Sequence, residues 1–148
     1  MLAVVTRVKG ARVEIEGAVS GQIERGFLVL LGVHRDDTAA DAEYIADRLA
    51  GLRVFEDSEG KMNLNAGQAG AQSVLLVSQF TLFGDVSQRR PAFTKAARPE
   101  TAVPLYEKTA ALCAEKGFFV QTGVFGADMQ VFSQNDGPVT LIIDSSGR

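Results

Sequence analysis

Polar residues that end an apolar run form the first candidate site. The pentapeptide at residues 78–82 (SQFTL) follows directly on four apolar residues. Side chains alternate along a strand, so Ser78 and Phe80 should share one face, with Gln79 and Thr81 on the other. A twist or bulge at the end of the strand could bring these side chains around the rim of one pocket. The same residues can instead end a strand and satisfy its backbone locally, and the pattern leaves both interpretations open.

A second polar segment, residues 135–140 (NDGPVT), combines turn-forming residues with a proline. These residues are typical of a hairpin turn. A Gly–Pro bond, however, loses only about 0.5–1 kcal/mol when it is cis, so a fold can hold it in that form. In that geometry, the main-chain carbonyls beside Gly137 and Pro138 can point into a site. The residues alone allow either a turn or a site.

The familiar catalytic constellations are missing from the chain. It contains no G-x-S-x-G, no P-loop and no G-x-G-x-x-G. His34 follows a predicted buried strand and precedes a helix cap, so we predict an ordinary loop residue. Cys113 falls on the apolar side of a predicted helix, where it should pack as a small hydrophobic residue. A serine–histidine hydrolase is therefore poorly supported. One histidine and one cysteine cannot form a His/Cys zinc site, so we predict no metal and no cofactor.

Positive charge is concentrated in one segment. The net charge is −3, from 15 basic and 18 acidic residues, which provides no overall field to attract nucleic acid. Residues 86–99 nevertheless contain four cations and no acid, with Phe93 among them. The cations are Arg89, Arg90, Lys95 and Arg98. Such a cluster can hold a phosphate backbone, although a solvated basic loop is the alternative.

The elements that must position these residues are two helices and about eight strands. Helices are predicted from the capping residues 36–38 to Gly51 and from 99–101 to Gly117. The predicted strands cover 2–8, 12–15, 26–33, 53–55, 73–80, 118–122, 130–133 and 139–143, and the first two should form a hairpin around residues 9–10. Each helix follows several strands, which favours a layered α+β fold. So much sheet needs a second sheet or a partner subunit to cover its other face.

Length and composition limit the class of protein. A chain of 148 residues, 46% hydrophobic and 22% charged, predicts a single globular domain spanning 1–148 and excludes disorder and low-complexity repeats. The longest apolar run, 27–31, falls far short of the roughly 20 residues of a membrane span. Arg7 and Lys9 interrupt the first apolar segment, which argues against a secretory signal. A lone cysteine fits a reducing compartment. We therefore predict a cytoplasmic protein with no membrane partner.

Taken together, the two polar motifs resemble those of the D-aminoacyl-tRNA deacylase (D-tyrosyl-tRNA(Tyr) deacylase) family. They occur in the expected order and near the expected positions. Further segments that match the family are 59–65, 90–93, 121–123 and 127–131, so the resemblance covers essentially the whole chain. Either motif alone would be a weak match, whereas the joint pattern is specific. The departures are a short tail at 145–148 and the loop 84–88, where family members vary.

The resemblance implies a three-layer β/β/α fold of mixed and antiparallel sheets that forms a homodimer. It implies hydrolysis of the ester that joins a D-amino acid, or mischarged glycine, to the terminal adenosine of tRNA. The active site would lie at the subunit interface, where Gly137 and Pro138, joined by a cis peptide, enter the partner's pocket. Arg7 matches the arginine that supports this motif. Phe125 and Met129 match residues on the adenosine side of the pocket.

The expected catalytic residues are Ser78, Gln79 and Thr81, with Phe80 contacting the substrate. Main-chain N–H groups around 79–81 would stabilise the oxyanion. Either the Thr81 hydroxyl is the nucleophile, or the terminal 2′-hydroxyl of the RNA assists; we favour the RNA because no general base stands out for Thr81. Contacts to the RNA are expected from Arg89, Arg90 and Lys95. The alternative function is a dimeric module that binds nucleotides or RNA ends without turnover.

Overall fold

Eight strands and two α-helices make up the fold in the computed structural model, which describes residues 1–147. The strands are β1 (Leu2–Ile15), β2 (Ala18–Ile23), β3 (Gly26–Gly32), β4 (Phe55–Glu56), β5 (Met62–Leu64), β6 (Ser73–Ser78), β7 (Phe119–Thr122) and β8 (Gln130–Asp144). The helices are α1 (Ala39–Gly51) and α2 (Pro99–Glu115). Short 3-10 turns lie at Phe80–Phe83, between β6 and α2, and at Ser145–Gly147, after β8. No helix in the described part is long and apolar enough to cross a membrane.

Six of these strands form one mixed sheet. Their order is β2-β1-β3-β6-β7, and β8 pairs with β1 along nearly its whole length. β3 and β6 pair in parallel, as do β6 and β7, whereas β1 is antiparallel to β2, β3 and β8. The two short strands β4 and β5 form a separate ladder. A mixed sheet with two helices confirms the predicted α+β class.

Two apolar cores lie on opposite faces of β3 and β6, because side chains alternate along each strand. On β3, Phe27 and Val29 face the core that the helices cover, whereas Leu28 belongs to the other core. On β6, Leu76 faces the helices and Leu75 faces away from them. The second core is completed from β1 and β2 by Val8, Ala11, Val13 and Ile23. The result is a layer of helices and two β layers.

Helix α1 forms as its pattern predicts. The N–H of Thr38 donates to the Asp41 carboxylate at 2.8 Å, which satisfies one donor at the start of the helix. The residues that recur at helical spacing are completely buried against the sheet: Ala42, Ile45, Ala46 and Leu49. The predicted helix boundaries are confirmed to within two residues at the start and end of both helices.

The predicted hairpin around residues 9–10 is wrong. β1 is one strand that pairs with β3 over Leu2–Val8 and with β2 over Ala11–Ile15. The chain instead turns at Glu16 and Gly17, both with positive φ, and enters β2, a strand that the sequence analysis missed. β8 pairs with both halves of β1 and holds them in one strand, and this partner is more than a hundred residues away in the sequence.

Three further boundaries differ from prediction. The strands predicted at 130–133 and 139–143 are one strand, β8, so residues 135–140 do not form a hairpin turn. β6 ends at Ser78 rather than at residue 80, because a 3-10 turn begins at Phe80. The strand predicted at 53–55 is observed as Phe55–Glu56.

The middle of β8 carries a large bulge. Thr6 pairs with Thr140 and Val8 with Asn135, so four residues of β8 stand opposite the single residue Arg7. The extra residues leave the ladder, and a bulge of this kind redirects the strand locally. The protruding residues are Asp136, Gly137, Pro138 and Val139. The second predicted motif therefore lies on a projection of the sheet, not in a loop between strands.

Candidate active site

A pocket of about 260 Å³ opens beside the end of β6. It brings together the predicted residues Ser78, Gln79 and Phe80 with Phe125 and Met129, which are more than forty residues away in the sequence. Its other lining residues are Val77, Gly126, Ala127 and Val131. A larger depression of about 460 Å³ lies over Arg12 and Phe132, but none of the predicted site residues lines it. We therefore take the smaller pocket as the site.

The pocket exists because the pairing of β7 with β6 stops before the end of β6. Their pairing ends at Leu76 and Thr122, after which the chain turns away at Gly123. A side chain at residue 123 would overlap the sulfur of Met129, so glycine allows Met129 to fold back over the segment. The space that β7 would have filled becomes the pocket between the end of β6 and residues 125–131.

Tyr106 of α2 contacts Phe125, which lines the pocket, and Leu76, which precedes the lining residue Val77. Its hydroxyl donates to the carbonyl of Leu76 at 2.6 Å, at the last position of β6 that pairs with β7. Its ring lies 6.3 Å from that of Phe125, centroid to centroid. Burial raises the pKa of the Tyr106 hydroxyl to about 12, so it remains a donor at neutral pH. A tyrosine within a helical pattern gives no sign of such a polar contact, so the sequence alone could not identify it.

Local hydrogen bonds narrow the set of oxyanion donors. The Gln79 N–H donates to the carbonyl of Leu31 at 2.8 Å, so it is not free to bind a substrate. The remaining candidates in the predicted set are the N–H groups of Phe80 and Thr81, at the start of the 3-10 turn, where intrahelical partners are lacking. Of the donors predicted around residues 79–81, the Gln79 N–H is therefore excluded.

Thr81 lies at the rim, exposed to solvent, and does not line the pocket. Its hydroxyl oxygen accepts a hydrogen bond from the side-chain amide of Gln79. A donor at that oxygen orients the hydroxyl but removes no proton from it, so this contact does not activate a nucleophile. The geometry is that of a positioning group.

Arg7 holds the bulge of β8. The buried guanidinium donates through Nε to the Asp136 carbonyl at 3.2 Å and lies 3.4 Å from its carboxylate. Another nitrogen donates to the Val54 carbonyl at 2.6 Å, which ties Arg7 to the chain before β4. A Cβ on Gly137, where φ is 122°, would approach the guanidinium to 3.0 Å, so this position requires glycine. The predicted contact of Arg7 with this motif is present.

The Gly137–Pro138 peptide bond is cis, as the resemblance predicts. Neither residue lines the pocket at the end of β6 of the same protomer. Their neighbour Asp136 was not singled out by the sequence analysis, although it stands inside the motif and supplies both contacts to Arg7. Within one protomer, the bulge and the pocket are thus separate features.

The predicted basic segment folds back beside the pocket. Asp85 and Ala92 exchange two main-chain hydrogen bonds, of 2.7 and 3.0 Å, which close the loop. The rings of Phe80 and Phe93 meet nearly edge to face, with centroids 5.1 Å apart. The predicted RNA-contacting residues Arg89, Arg90 and Lys95 are exposed on this loop.

The two residues set aside by the sequence analysis behave as predicted. The Nδ1 of His34 accepts a hydrogen bond from the Asp36 N–H at 3.1 Å, within an ordinary turn. Cys113 is completely buried, and burial raises the pKa of its thiol to about 11, which keeps it unreactive. Residues 1–147 contain no group of three or more acidic, histidine or cysteine side chains placed to bind a metal ion.

The sequence of this chain matches the family model described as D-Tyr-tRNA(Tyr) deacylase over residues 4–144. A D-aminoacyl-tRNA deacylase of Anaeromyxobacter dehalogenans is 57% identical, with 98% of this chain and 97% of that protein covered. A D-aminoacyl-tRNA deacylase of Thermus aquaticus is 55% identical, with 100% of this chain and 97% of that protein covered.

Two solved structures share the fold. The c-Myc DNA unwinding element binding protein superposes with a TM-score of 0.90 at 36% identity, covering 97% of this chain and 98% of its own. A probable eukaryotic D-amino acid tRNA deacylase superposes with a TM-score of 0.81 at 15% identity, covering 96% of this chain and 97% of its own. Because the family model and these relatives span nearly the whole sequence, the chain belongs to the D-Tyr-tRNA(Tyr) deacylase family and is an enzyme of the D-aminoacyl-tRNA deacylase class.

Proposed function

We propose that the active enzyme is a homodimer in which the bulge of one protomer completes the pocket of the other. The observation that carries this proposal is the separation of the two motifs: the bulge is firmly held by Arg7, yet neither Gly137 nor Pro138 lines the pocket of its own chain. β8 also exposes four apolar side chains, namely Val131, Phe132, Leu141 and Ile142. Such a surface is typical of an interface between subunits.

The reaction of the proposed site is hydrolysis of a D-aminoacyl-tRNA ester to the free D-amino acid and tRNA. Water adds to the ester carbonyl, and the N–H groups of Phe80 and Thr81 stabilise the oxyanion that forms. The ribose oxygen then leaves with a proton as the carbonyl reforms. An aminoacyl ester is already activated, so positioning supplies much of the acceleration. Ser78 and Gln79 position the reacting groups, and the terminal 2′-hydroxyl of the RNA assists the water.

The remaining predicted residues bind the RNA part of the substrate. Phe125 and Met129 form an apolar wall on one side of the pocket, suited to the terminal adenine. Arg89, Arg90 and Lys95 on the adjacent loop attract the phosphates. Charged tRNA is present where proteins are synthesised, so we expect the activity in the cytoplasm.

Selection between D- and L-esters follows from exclusion. The two esters share every functional group, so the site must act on the direction of the side chain. Main-chain carbonyls at Gly137 and Pro138 are suited to this task, because they cannot rotate away as a side chain can. Glycine has no side chain to exclude, so we expect hydrolysis of D-Tyr-tRNA and Gly-tRNA but not of L-Tyr-tRNA. Rapid cleavage of L-Tyr-tRNA would contradict the mechanism, and binding of D-Tyr-tRNA without release of tyrosine would leave only an RNA-end-binding module.

Mixing two inactive variants tests the shared site. Gly137→Val disables the bulge, because its side chain would meet Arg7, and Gln79→Ala disables the pocket. A heterodimer of the two contains one site built from an intact pocket and an intact bulge. We expect each variant alone to be inactive and the mixture, after subunit exchange, to regain activity. A mixture that stays inactive although heterodimers form would show that each pocket uses its own bulge.

The role of Thr81 is tested by comparing the enzyme with the substrate. Thr81→Ala should retain measurable deacylation, because the hydroxyl only positions. Replacing the terminal 2′-hydroxyl of the tRNA with hydrogen should cost far more. The opposite ranking would assign the nucleophile to Thr81.

A further inference from the structure

Two phenylalanines beside the pocket are exposed although they are fixed in place. Phe80 is 53% exposed and Phe93 is 38% exposed. Phe80 lines the pocket, and the Phe93 ring lies against it with centroids 5.1 Å apart. Phe93 is therefore one ring beyond the pocket, at its rim.

The loop that carries Phe93 is anchored on both sides of this residue. Before it, Ala92 and Asp85 exchange two main-chain hydrogen bonds. After it, the carbonyl of Lys95 accepts from the Arg35 N–H at 2.9 Å, and Ala97 donates to the Val33 carbonyl at 2.9 Å. The Phe93 ring is thus presented by an ordered backbone and not by a loose chain.

Gly84 allows the ring to sit where it does. A Cβ at this position would lie 3.0 Å from the Phe93 ring and 3.0 Å from the Thr81 carbonyl. The ring therefore packs close to the main chain at the end of the 3-10 turn Phe80–Phe83. This places Phe93 beside the 3-10 turn that holds Phe80 and Thr81.

The charge around the ring suits a polyanion. Residues 86–98 contain no acid, and Arg89, Arg90 and Lys95 are exposed there. Arg35 reaches the same loop and donates to the Thr94 carbonyl at 3.3 Å. Aromatic faces set among cations are the usual means of binding single-stranded nucleic acid, because bases stack on rings while cations attract the phosphates.

We propose that Phe93, supported by Phe80, is a stacking platform for the nucleotide that precedes the terminal adenosine of the substrate tRNA. This inference rests on the proposed function, in which the terminal nucleoside occupies the pocket. The preceding nucleotide must then lie just outside the pocket, and its base has no pairing partner in the single-stranded 3′ end. Phe93 offers that base an apolar face, and Arg89 and Arg90 offer its phosphates positive charge.

The test compares a long and a short substrate. D-Tyr-tRNA contains the preceding nucleotide, whereas the D-tyrosyl ester of adenosine lacks it. Loss of one stacking ring should lower kcat/KM for D-Tyr-tRNA by about tenfold in Phe93→Ala. Activity on the adenosine ester should remain unchanged, and Phe93→Tyr should retain activity on both substrates. Phe119→Ala, which removes an exposed phenylalanine on β7, is the matched control and should change neither.

Three results would overturn the inference. Equal losses on both substrates would mean that Phe93 only shapes the pocket through Phe80. No loss on either substrate would mean that no base stacks there. A fall in the molecular mass of Phe93→Ala in solution would assign the ring to a subunit contact.

Failure of the proposed function would look different, because the wild-type enzyme would then hydrolyse neither substrate. In that case, the affinities of wild-type protein and of Phe93→Ala for the trinucleotide CCA still test whether a base stacks on Phe93. Weaker binding to the variant supports the platform, and equal binding rejects it.

Discussion

The helix-covered face of the sheet and the strand β8 bury their side chains to opposite extents. On the helix side, Ile45 and Leu49 of α1 and Phe27 and Val29 of β3 are completely buried. Along the fifteen residues of β8, Ile143 alone is buried. The chain therefore completes the helix-covered core by itself and leaves β8 exposed, the surface that the proposed dimer would cover.

The bulge differs from the rest of the exposed strand β8, because a buried side chain holds its backbone. Arg7 donates hydrogen bonds to the carbonyl of Asp136 in the bulge and to the Val54 carbonyl. In the proposed dimer, a group that excludes a side chain from a neighbouring pocket needs such rigidity. The contrast thus separates buried residues that stabilise the chain from exposed residues that the proposal assigns to the partner's site.

The largest expected effect comes from breaking the closed core. Phe27 packs against the rings of Phe55 and Phe118, at centroid distances of 5.4 and 6.4 Å. Phe27→Ala should lower the free energy of unfolding by about 3–5 kcal/mol, because it leaves a cavity. The control Phe119→Ala, at an exposed position, should stay within about 0.5 kcal/mol of wild type. Urea unfolding at one protein concentration measures the unfolding free energy of both variants. Equal losses of unfolding free energy would contradict the difference between the buried and the exposed position.

The next effect tests the anchor of the bulge. Arg7→Met keeps much of the side-chain volume but loses the hydrogen bonds to Asp136 and Val54. We expect a loss of about 2–3 kcal/mol in the free energy of unfolding, because these bonds involve a charged donor. Deacylation should fall by about tenfold or more, equivalent to about 1.4 kcal/mol in the barrier. Arg48→Met on α1 is the control, and a variant at residue 7 with normal activity would show that the bulge needs no anchor.

Substitutions on the exposed side of β8 should change the dissociation constant of the proposed dimer rather than the stability of the fold. Ile142 is 69% exposed in the protomer. Ile142→Lys should raise the dimer dissociation constant by about tenfold or more, because an unpaired charge would be buried at the interface. Light scattering over a dilution series checks this, with Met62→Lys on β5 as the exposed control. An unchanged dimer would place the interface elsewhere.

The smallest effect concerns the hydrogen bond between the Tyr106 hydroxyl of α2 and the main chain of β6. Tyr106→Phe loses the hydrogen bond to the Leu76 carbonyl and should cost about 1 kcal/mol of unfolding free energy. A loss confined to catalysis, with no change in stability, would contradict a role in holding the wall.

The same variant should also change the alkaline stability. Burial raises the pKa of Tyr106 from 10.0 to about 12 and that of Cys113 from 9.0 to about 11. Both groups hold their protons more tightly in the folded state, so their contribution is complete below pH 9 and is lost as the pH rises through these values. Tyr106→Phe should therefore lose less stability than wild type between pH 10 and 12. Urea unfolding at several pH values measures the difference.

The sequence by itself determined the elements whose signals are local. Capping residues and helical spacing located α1, and a short run of apolar residues bounded by glycines located β3. The two polar motifs were recognisable as a pair, and the acid-free segment around Phe93 was visible from charge alone. These features depend on neighbours within about one turn of helix or one strand, which a linear pattern contains.

The tertiary structure alone decided where these elements meet. β1 and β8 are each one strand because they pair with each other across more than a hundred residues, and that pairing turned an apparent hairpin at 135–140 into a bulge opposite Arg7. The Gln79 N–H is occupied because β3 lies beside it, and the Tyr106 hydroxyl bonds to the Leu76 carbonyl because α2 packs into the core on that face of the sheet. Such contacts depend on register and on packing between distant segments, and these are set only when the whole chain folds.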